Sequence, residues 1–256
     1  MKTIIPILLL PFLGTTLGAG TVFFLKNQLN KNFEKLLLGF ASGVMVAASV
    51  WSLIMPAIES SEAMGKLAFL PAAVGVALGM AFLFLLDKII PHLHINTDVP
   101  DGPKSQLKKT NMLVLAVTLH NIPEGLAVGF SFGLAYAVKT DAAYISALLL
   151  SIGIGIQNFP EGAAVALPLK KPLKSPNKAF LVGVCSGAIE PLFAILGFCC
   201  VAALQFLQPW LLAFSAGTMV FVVVEDLLPD MQERTLGSCF FIMGFALMMS
   251  LDVVFG

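Results

Sequence analysis

Eight apolar runs, each near the length needed to cross a bilayer, occupy most of this 256-residue chain. A hydrocarbon layer about 30 Å thick takes about 20 residues of α-helix. Composition agrees, since 58% of the residues are hydrophobic, 12% are charged and the mean hydropathy is +0.92. The runs lie near residues 4–25, 36–56, 67–90, 112–137, 143–168, 179–204, 210–229 and 237–255. We therefore predict an all-α integral membrane protein with eight transmembrane helices, forming a single domain over residues 1–256.

Lysine and arginine are unevenly distributed between alternate loops, which predicts the orientation of the chain. In membrane proteins these residues concentrate in loops that stay in the cytoplasm. One set of loops holds twelve of them: Lys26, Lys31, Lys35, Lys88, Lys104, Lys108, Lys109, Lys170, Lys171, Lys174, Lys178 and Arg234. The opposite set holds three: Lys2, Lys66 and Lys139. We therefore predict that both termini are extracellular or periplasmic and that the longest loop, at about 91–111, is cytoplasmic. The formal net charge is zero, so no nucleic-acid partner is expected.

The first 20 residues, MKTIIPILLLPFLGTTLGAG, allow a second interpretation. A basic residue, an apolar run and small residues also describe a secretory signal peptide. However, the apolar stretch continues through TVFFL before it meets Lys26, and so reaches spanning length. We favour a transmembrane helix in the lipid bilayer.

The four cysteines lie within predicted helices and lack CxxC spacing. They are Cys185, Cys199, Cys200 and Cys239. We expect small, buried apolar side chains rather than disulfides or a zinc knuckle.

A six-residue motif occurs twice, in neighbouring helices that run in opposite directions. HNIPEG at 120–125 returns as QNFPEG at 157–162. The first and fifth residues of each copy share a helix face, which pairs His120 with Glu124 and Gln157 with Glu161. Each proline removes a backbone N–H and frees the carbonyl four residues earlier. Opposed helices broken by proline near the bilayer midplane are typical of transporter substrate sites.

The polar residues that these assignments place deep in the bilayer form the candidate site. They are His120, Asn121, Glu124, Gln157, Asn158, Glu161 and Glu190. An ionised carboxylate at the bilayer centre costs about 2.5–3.5 kcal/mol on insertion scales, so three of them require a function. An imidazole with several carboxylate and amide oxygens suits Zn²⁺, Cd²⁺, Fe²⁺ or Mn²⁺ better than Cu⁺ or Ca²⁺. The number of carboxylates predicts two adjacent ions with shared glutamates, and no organic cofactor is expected.

Some of these residues also have structural interpretations. Asn121 and Asn158 fit as caps for the broken backbone, and Glu190 fits as a protonated residue that packs helices. Met45, in the second predicted helix, is better explained by packing than by ligation.

Four polar residues lie outside this cluster. His92 and His94 fit either as ordinary loop residues or as a transient metal relay on the cytoplasmic side. Glu225 and Asp226, near the inner end of the seventh predicted helix, also fit as interfacial carboxylates.

The whole chain resembles the ZIP (Zrt/Irt-like protein) family of divalent metal transporters, and it is most similar to the GufA-type branch. The most specific segments are HNIPEG, QNFPEG and GAIEP, with support from GVMVAASVWSLIMPA and VVVEDLLPD. The resemblance implies eight helices in a pseudo-symmetric 3+2+3 arrangement, an extracellular N-terminus and commonly a homodimer.

The resemblance also implies roles for individual residues. The family has a two-metal transport site, and its positions are matched here by His120, Asn121, Glu124, Gln157, Asn158, Glu161 and Glu190. The resemblance implies that Glu124 and Glu161 are shared between the two ions. Met45 corresponds to a thioether ligand. An exit-side or loop metal relay corresponds to His92, His94, Glu225 and Asp226. The family often has Asp at the position of Asn158, which implies that the second ion is held less tightly here.

The leading hypothesis is uptake of a divalent metal, Zn²⁺ first, across the cell membrane into the cytoplasm. The chain has no GxxxxGK[ST] motif, so the metal gradient and membrane potential are expected to drive transport. Pairs such as Gly14/Gly18 and Gly125/Gly129 are expected to be sliding faces for alternating access, and the resemblance implies an elevator-like movement. A non-transporting metal sensor is the second hypothesis. An intramembrane zinc hydrolase is the third, but three histidines with only one in the membrane argue against an enzyme.

Overall fold

The computed structural model describes residues 7–25, 31–91, 102–103, 109–231 and 235–255. The α-helices are α1 (Leu10–Gly20), α2 (Lys31–Ala48), α3 (Met55–Glu59), α4 (Phe69–Ile89), α5 (Lys109–Val138), α6 (Asp141–Leu173), α7 (Pro176–Gly187), α8 (Ile189–Ala203), α9 (Gln208–Val222), α10 (Leu228–Met231) and α11 (Thr235–Phe255). Short 3₁₀ turns cover Thr21–Phe23, Glu62–Leu67 and Gln205–Leu207. These ranges contain no β-strand, which confirms the all-α prediction for them.

Six helical stretches are long and apolar enough to cross a membrane. Within the described ranges they are Lys35–Glu59, Phe69–Ile89, Asp141–Leu173, Pro176–Val201, Gln208–Leu227 and Thr235–Phe255. A shorter apolar stretch covers Leu10–Phe23. The 30-residue helix α5 lies between the second and third of the six and carries the first polar motif. Each predicted apolar run thus corresponds to a helix, while the count of eight spans remains a prediction.

The outer faces of the helices carry large exposed apolar side chains. Leu17, Phe84 and Val254 are 67%, 54% and 69% exposed, respectively. Such faces are unfavourable in water but are stable against lipid tails, which are as apolar as leucine. The outer surface of the helix bundle is therefore suited to contact with the lipid tails of a bilayer.

Four helix pairs make the most extensive contacts: α1 with α6, α5 with α8, α2 with α11 and α4 with α9. Glycine lets the backbones touch in each pair. A Cβ added at Gly18 would collide with the carbonyl of Phe159, and one added at Gly129 would collide with the carbonyl of Ala194. The stripes of small residues therefore lie at the contact surfaces within these four helix pairs. The expectation that these stripes form sliding faces for alternating access stays a prediction.

Both helices of the repeated motif continue through their prolines. Pro123 lies inside α5 and Pro160 lies inside α6, without an interruption of either helix. The prediction of proline-broken segments was wrong, because neighbouring turns hold the helix when one N–H is lost. The break occurs at Ala188 instead, where α7 ends and α8 begins. Glu190 consequently lies in the first turn of α8, where the positive end of the helix dipole favours an anion.

Two of the α-helices are each followed directly by a π-helical segment. Ser49–Ile54 follows α2, and Val223–Leu227 follows α9. Single π-helical turns are rare and occur frequently at functional sites. The second of these segments contains Glu225 and Asp226.

All four cysteines are free, as expected. They are less buried than we expected, because Cys185, Cys199 and Cys239 are exposed. A thiol is apolar enough to face lipid as readily as a protein core.

Candidate metal site between helices

Three carboxyl groups from three helices meet in the interior. Glu124 on α5, Glu161 on α6 and Glu190 on α8 lie close enough for their charges to repel one another. Glu124 and Glu190 are each only 1% exposed. Three like charges in an apolar interior are strongly unfavourable without a compensating positive charge. The fold thus concentrates negative charge at the place where the two motifs meet α8.

Amide side chains connect this cluster to the surrounding helices. Nε2 of Gln157 donates to Oε1 of Glu124 at 2.7 Å and links α6 to α5. Nδ2 of Asn121 donates to the carbonyl oxygen of Ser186 at 2.9 Å and links α5 to α7. Asn158 is fully buried and lies within reach of both Glu124 and Glu190. Side chains from three helices and a backbone carbonyl of a fourth therefore share one polar interior.

Several buried oxygens in this cluster accept no hydrogen bond. They are Asn121 Oδ1, Glu124 Oε2, Gln157 Oε1, Glu161 Oε2 and Glu190 Oε2. Leaving a buried acceptor unpaired costs about 1–3 kcal/mol, and more when the group is charged. Carboxylate and amide oxygens are also ligands for divalent cations. The unpaired oxygens thus supply a donor set that a cation would satisfy.

His120 lies at the edge of the cluster, beside the π-helical segment after α9. Its Nε2 is 3.0 Å from Oδ2 of Asp226, and the two side chains are 16% and 9% exposed. Glu161 is close enough to interact with both charges. Asp226 therefore joins the cluster from a fifth helical stretch. Its neighbour Glu225 is exposed.

The carboxylates and the histidine do not form a finished metal cage. Among the residues that the structure describes, no three His, Cys, Asp or Glu side chains are arranged so that they could hold an ion by themselves. Amide oxygens, or a small inward movement of the carboxylates, would be needed to complete a coordination shell.

The remaining candidates fall in different environments. Met45 is 1% exposed and packs within the main hydrophobic core. His92 and His94 lie outside the described residues. Burial of Met45 is compatible with both packing and ligation.

Two polar contacts were missed by the sequence analysis. Oγ1 of Thr15 in α1 donates to Oε1 of Glu190 at 2.7 Å. Oγ of Ser52 lies 2.9 and 3.0 Å from the two carboxyl oxygens of Asp252, which is 6% exposed. Asp252 is a charged residue inside an apolar run, which is a signal that sequence analysis could have used. Thr15 carries no such signal, because single threonines are common in membrane helices.

Fold and site together define a multi-pass, all-helical membrane protein with a carboxylate-rich interior. The profile of the family described as ZIP Zinc transporter matches residues 97–252. The chain belongs to this family. Its members are transporters rather than enzymes, which excludes the hydrolase hypothesis.

Full-length relatives support the same assignment. The zinc transporter ZIP11 of Homo sapiens is 36% identical and aligns with 94% of both chains. The zinc transporter GufA of Myxococcus xanthus is 32% identical over 95% of this chain and 96% of its own length. The zinc transporter ZIPB of Bordetella bronchiseptica is 35% identical over 96% of this chain and 79% of its own length. The predicted resemblance to the ZIP family and to GufA is confirmed.

Proposed function

We propose that this protein transports Zn²⁺, or a similar divalent cation, into the cytoplasm through the carboxylate cluster. The observation that carries the proposal is the set of buried oxygens without donors on Asn121, Glu124, Gln157, Glu161 and Glu190. A doubly charged ion would satisfy these oxygens and remove the repulsion between the carboxylates. Family membership makes transport the activity that fits such an ion site.

We further propose that the site holds two ions, with Glu124 and Glu161 bridging them. The cluster has three carboxylates and three amide side chains, which is more than one four-coordinate ion requires. Asp226 and His120 would add ligands on the side of the π-helical segment. Measuring bound Zn²⁺ per chain in purified protein tests this point, and a ratio that never exceeds one would reject the second ion.

We propose an elevator-like movement of two helix groups. One group contains the α1–α6 and α5–α8 pairs, which carry the carboxylates. The other contains the α2–α11 and α4–α9 pairs. Because glycine contacts fix the helices within each pair, relative motion would occur between the groups. The contact between His120 and Asp226 crosses this boundary and would change as the site moves.

The metal gradient and the membrane potential would drive uptake. A potential of 100 mV contributes about 2.3 kcal/mol per elementary charge, and so about twice that for a divalent ion. We also propose eight spans with extracellular or periplasmic termini, and a homodimer. Accessibility of cysteines introduced at Thr3 and at Lys174 to a membrane-impermeant thiol reagent, in a background without native cysteines, tests the orientation.

Uptake into proteoliposomes tests the proposed function. We expect wild-type protein to accumulate ⁶⁵Zn²⁺ when an inside-negative potential is applied. Glu124→Ala and His120→Ala should each reduce uptake to the level of protein-free vesicles. Glu59→Ala removes an exposed carboxylate from α3 and should retain full uptake. Binding without uptake in the wild type would instead favour the sensor hypothesis, and competition with Cd²⁺, Fe²⁺ and Mn²⁺ would define selectivity.

A further inference from the structure

Thr15 makes a side-chain contact with the carboxylate cluster from a helix that carries none of its carboxylates. The residue is 1% exposed, and its Oγ1 donates to Oε1 of Glu190 at 2.7 Å. The other carboxyl oxygen of Glu190, Oε2, is buried and accepts no hydrogen bond. Thr15 lies outside the segment 97–252 that the family profile matches. The contact therefore adds α1 to the site.

Backbone contacts fix the position of Thr15. A Cβ added at Gly162, the last residue of QNFPEG, would collide with the carbonyl oxygen of Thr15. A Cβ added at Gly125, the last residue of HNIPEG, would collide with the backbone of Glu190. The glycine of each motif thus admits one partner of the hydrogen bond. The repeated glycine has a specific reason in both copies, since it brings Thr15 and Glu190 close to the site.

The end of α7 closes the arrangement from a third side. A Cβ added at Gly187 would lie 2.8 Å from both Cβ and Cγ2 of Thr15 and 3.1 Å from Oε1 of Glu190. The absence of a side chain at Gly187 leaves the hydroxyl and carboxyl groups in direct contact.

We propose that Thr15 is a positioning residue for metal binding by Glu190, an inference that rests on the proposed function. Its hydroxyl holds Oε1, so that Oε2 is left to coordinate the ion. An unrestrained glutamate would have to be ordered each time an ion binds, which costs conformational entropy. Partners that orient metal ligands typically contribute about 10–100-fold in metal affinity.

A purely structural role for the hydroxyl makes a different prediction. Oγ1 of Thr15 also lies 3.4 Å from the carbonyl oxygen of Pro11, one turn earlier in α1. If this contact were the important one, loss of the hydroxyl would affect the helix rather than the ion. The contact with Glu190 is much shorter, which favours the positioning role.

Thr15→Val removes the hydroxyl and keeps the shape of the side chain. We expect about a tenfold increase in the KM for Zn²⁺ uptake, with a smaller change in the maximal rate. Thr15→Ser should restore the KM to within about twofold of wild type, because it restores the donor. Thr16→Val is the matched control, since Oγ1 of Thr16 is buried without a hydrogen-bond partner. It should behave as wild type.

Zn²⁺ binding by purified variants separates positioning from packing. If Thr15 acts through Glu190, Thr15→Val should lower Zn²⁺ affinity in the wild-type background but have little effect in Glu190→Ala. Additive effects of the two substitutions, or an unchanged KM in Thr15→Val, would overturn the inference while leaving the proposed function intact. Absence of Zn²⁺ binding and uptake in the wild type would overturn both. If Thr15→Val does not insert, Thr15→Ala in the same cycle gives the same test.

Discussion

Nε2 of His120 and Oδ2 of Asp226 are 3.0 Å apart, so the first motif is tied directly to the π-helical segment after α9. A carboxylate that contacts a ligating histidine orients the imidazole ring and raises its basicity. In this conformation Asp226 is placed either to orient His120 or to compete with an ion for Nε2 of His120. Both roles depend on the negative charge of Asp226 and do not involve Glu225, which is exposed.

Replacing Asp226 by asparagine should weaken transport. The substitution retains the size of the side chain but removes the charge beside His120. We expect the KM for Zn²⁺ uptake to rise about 10–100-fold. Glu225→Gln should have a much smaller effect, because Glu225 is exposed. Initial rates of ⁶⁵Zn²⁺ uptake measure both. Equal effects of the two substitutions would contradict a special role for Asp226.

Replacing Asn158 by aspartate should strengthen binding of a second ion. Asn158 is fully buried beside Glu124 and Glu190, and its neutral amide offers a cation only an uncharged oxygen. A carboxylate there adds a charged ligand, and Coulomb attraction at short range should raise the affinity at least about tenfold. Titration of Zn²⁺ with stoichiometry by mass spectrometry measures the change. No gain in occupancy would show that the second ion does not contact this position.

Replacing Gly125 by alanine should destabilise the protein and reduce uptake. The added Cβ would collide with the backbone of Glu190, which must then move away from α5. Overpacking of this kind typically costs about 1–3 kcal/mol. Thermal unfolding in detergent and uptake assays measure the two effects. Gly20→Ala is the control, because nothing lies within 4 Å of a Cβ there and the backbone is helical. Equal stability of the two variants would argue against close contact of α5 with α8.

Replacing Ser52 by alanine should lower stability. The hydroxyl of Ser52 lies within hydrogen-bond distance of both carboxyl oxygens of buried Asp252, across the interface between the first π-helical segment and α11. Loss of a partner for a buried polar group costs about 1–3 kcal/mol. Ser250→Ala, in the same helix as Asp252, removes an exposed hydroxyl that donates to a carbonyl of its own helix. This substitution should be nearly neutral for stability. Thermal unfolding of the two variants decides the matter, and matching melting temperatures would show that Asp252 does not depend on Ser52.

The helices and the local pattern of the site could be predicted from sequence, because both depend on short-range rules. Apolar runs and a four-residue spacing were enough to place His120, Glu124, Gln157 and Glu161 on two opposed helices. The expected proline breaks failed because tertiary packing maintained α5 and α6. A signal for the actual break was present in Pro191, the third residue of α8, since proline is tolerated in the first turn of a helix.

The cross-helix partners could not be predicted. Thr15 and Glu190 are 175 residues apart in the chain, and their contact depends on how α1, α6 and α8 are packed. The same holds for Asp226, whose contact with His120 depends on how the segment after α9 packs against α5. An α-helical continuation would have given the pair Glu225 and Asp226 different orientations, which composition alone cannot distinguish.

A π-helical turn holds one residue more than an α-helical turn, and each residue of an α-helix advances the chain by about 100° around the axis. Deleting a single residue from Val223–Leu227 would therefore let this segment close into a regular α-helix, so that residues within it would point in new directions while the flanking helices keep theirs. The carboxyl group facing His120 would swing aside without any change in residue type. The number of residues in this segment thus matters as much as their types. A one-residue deletion here should be less well tolerated than most substitutions.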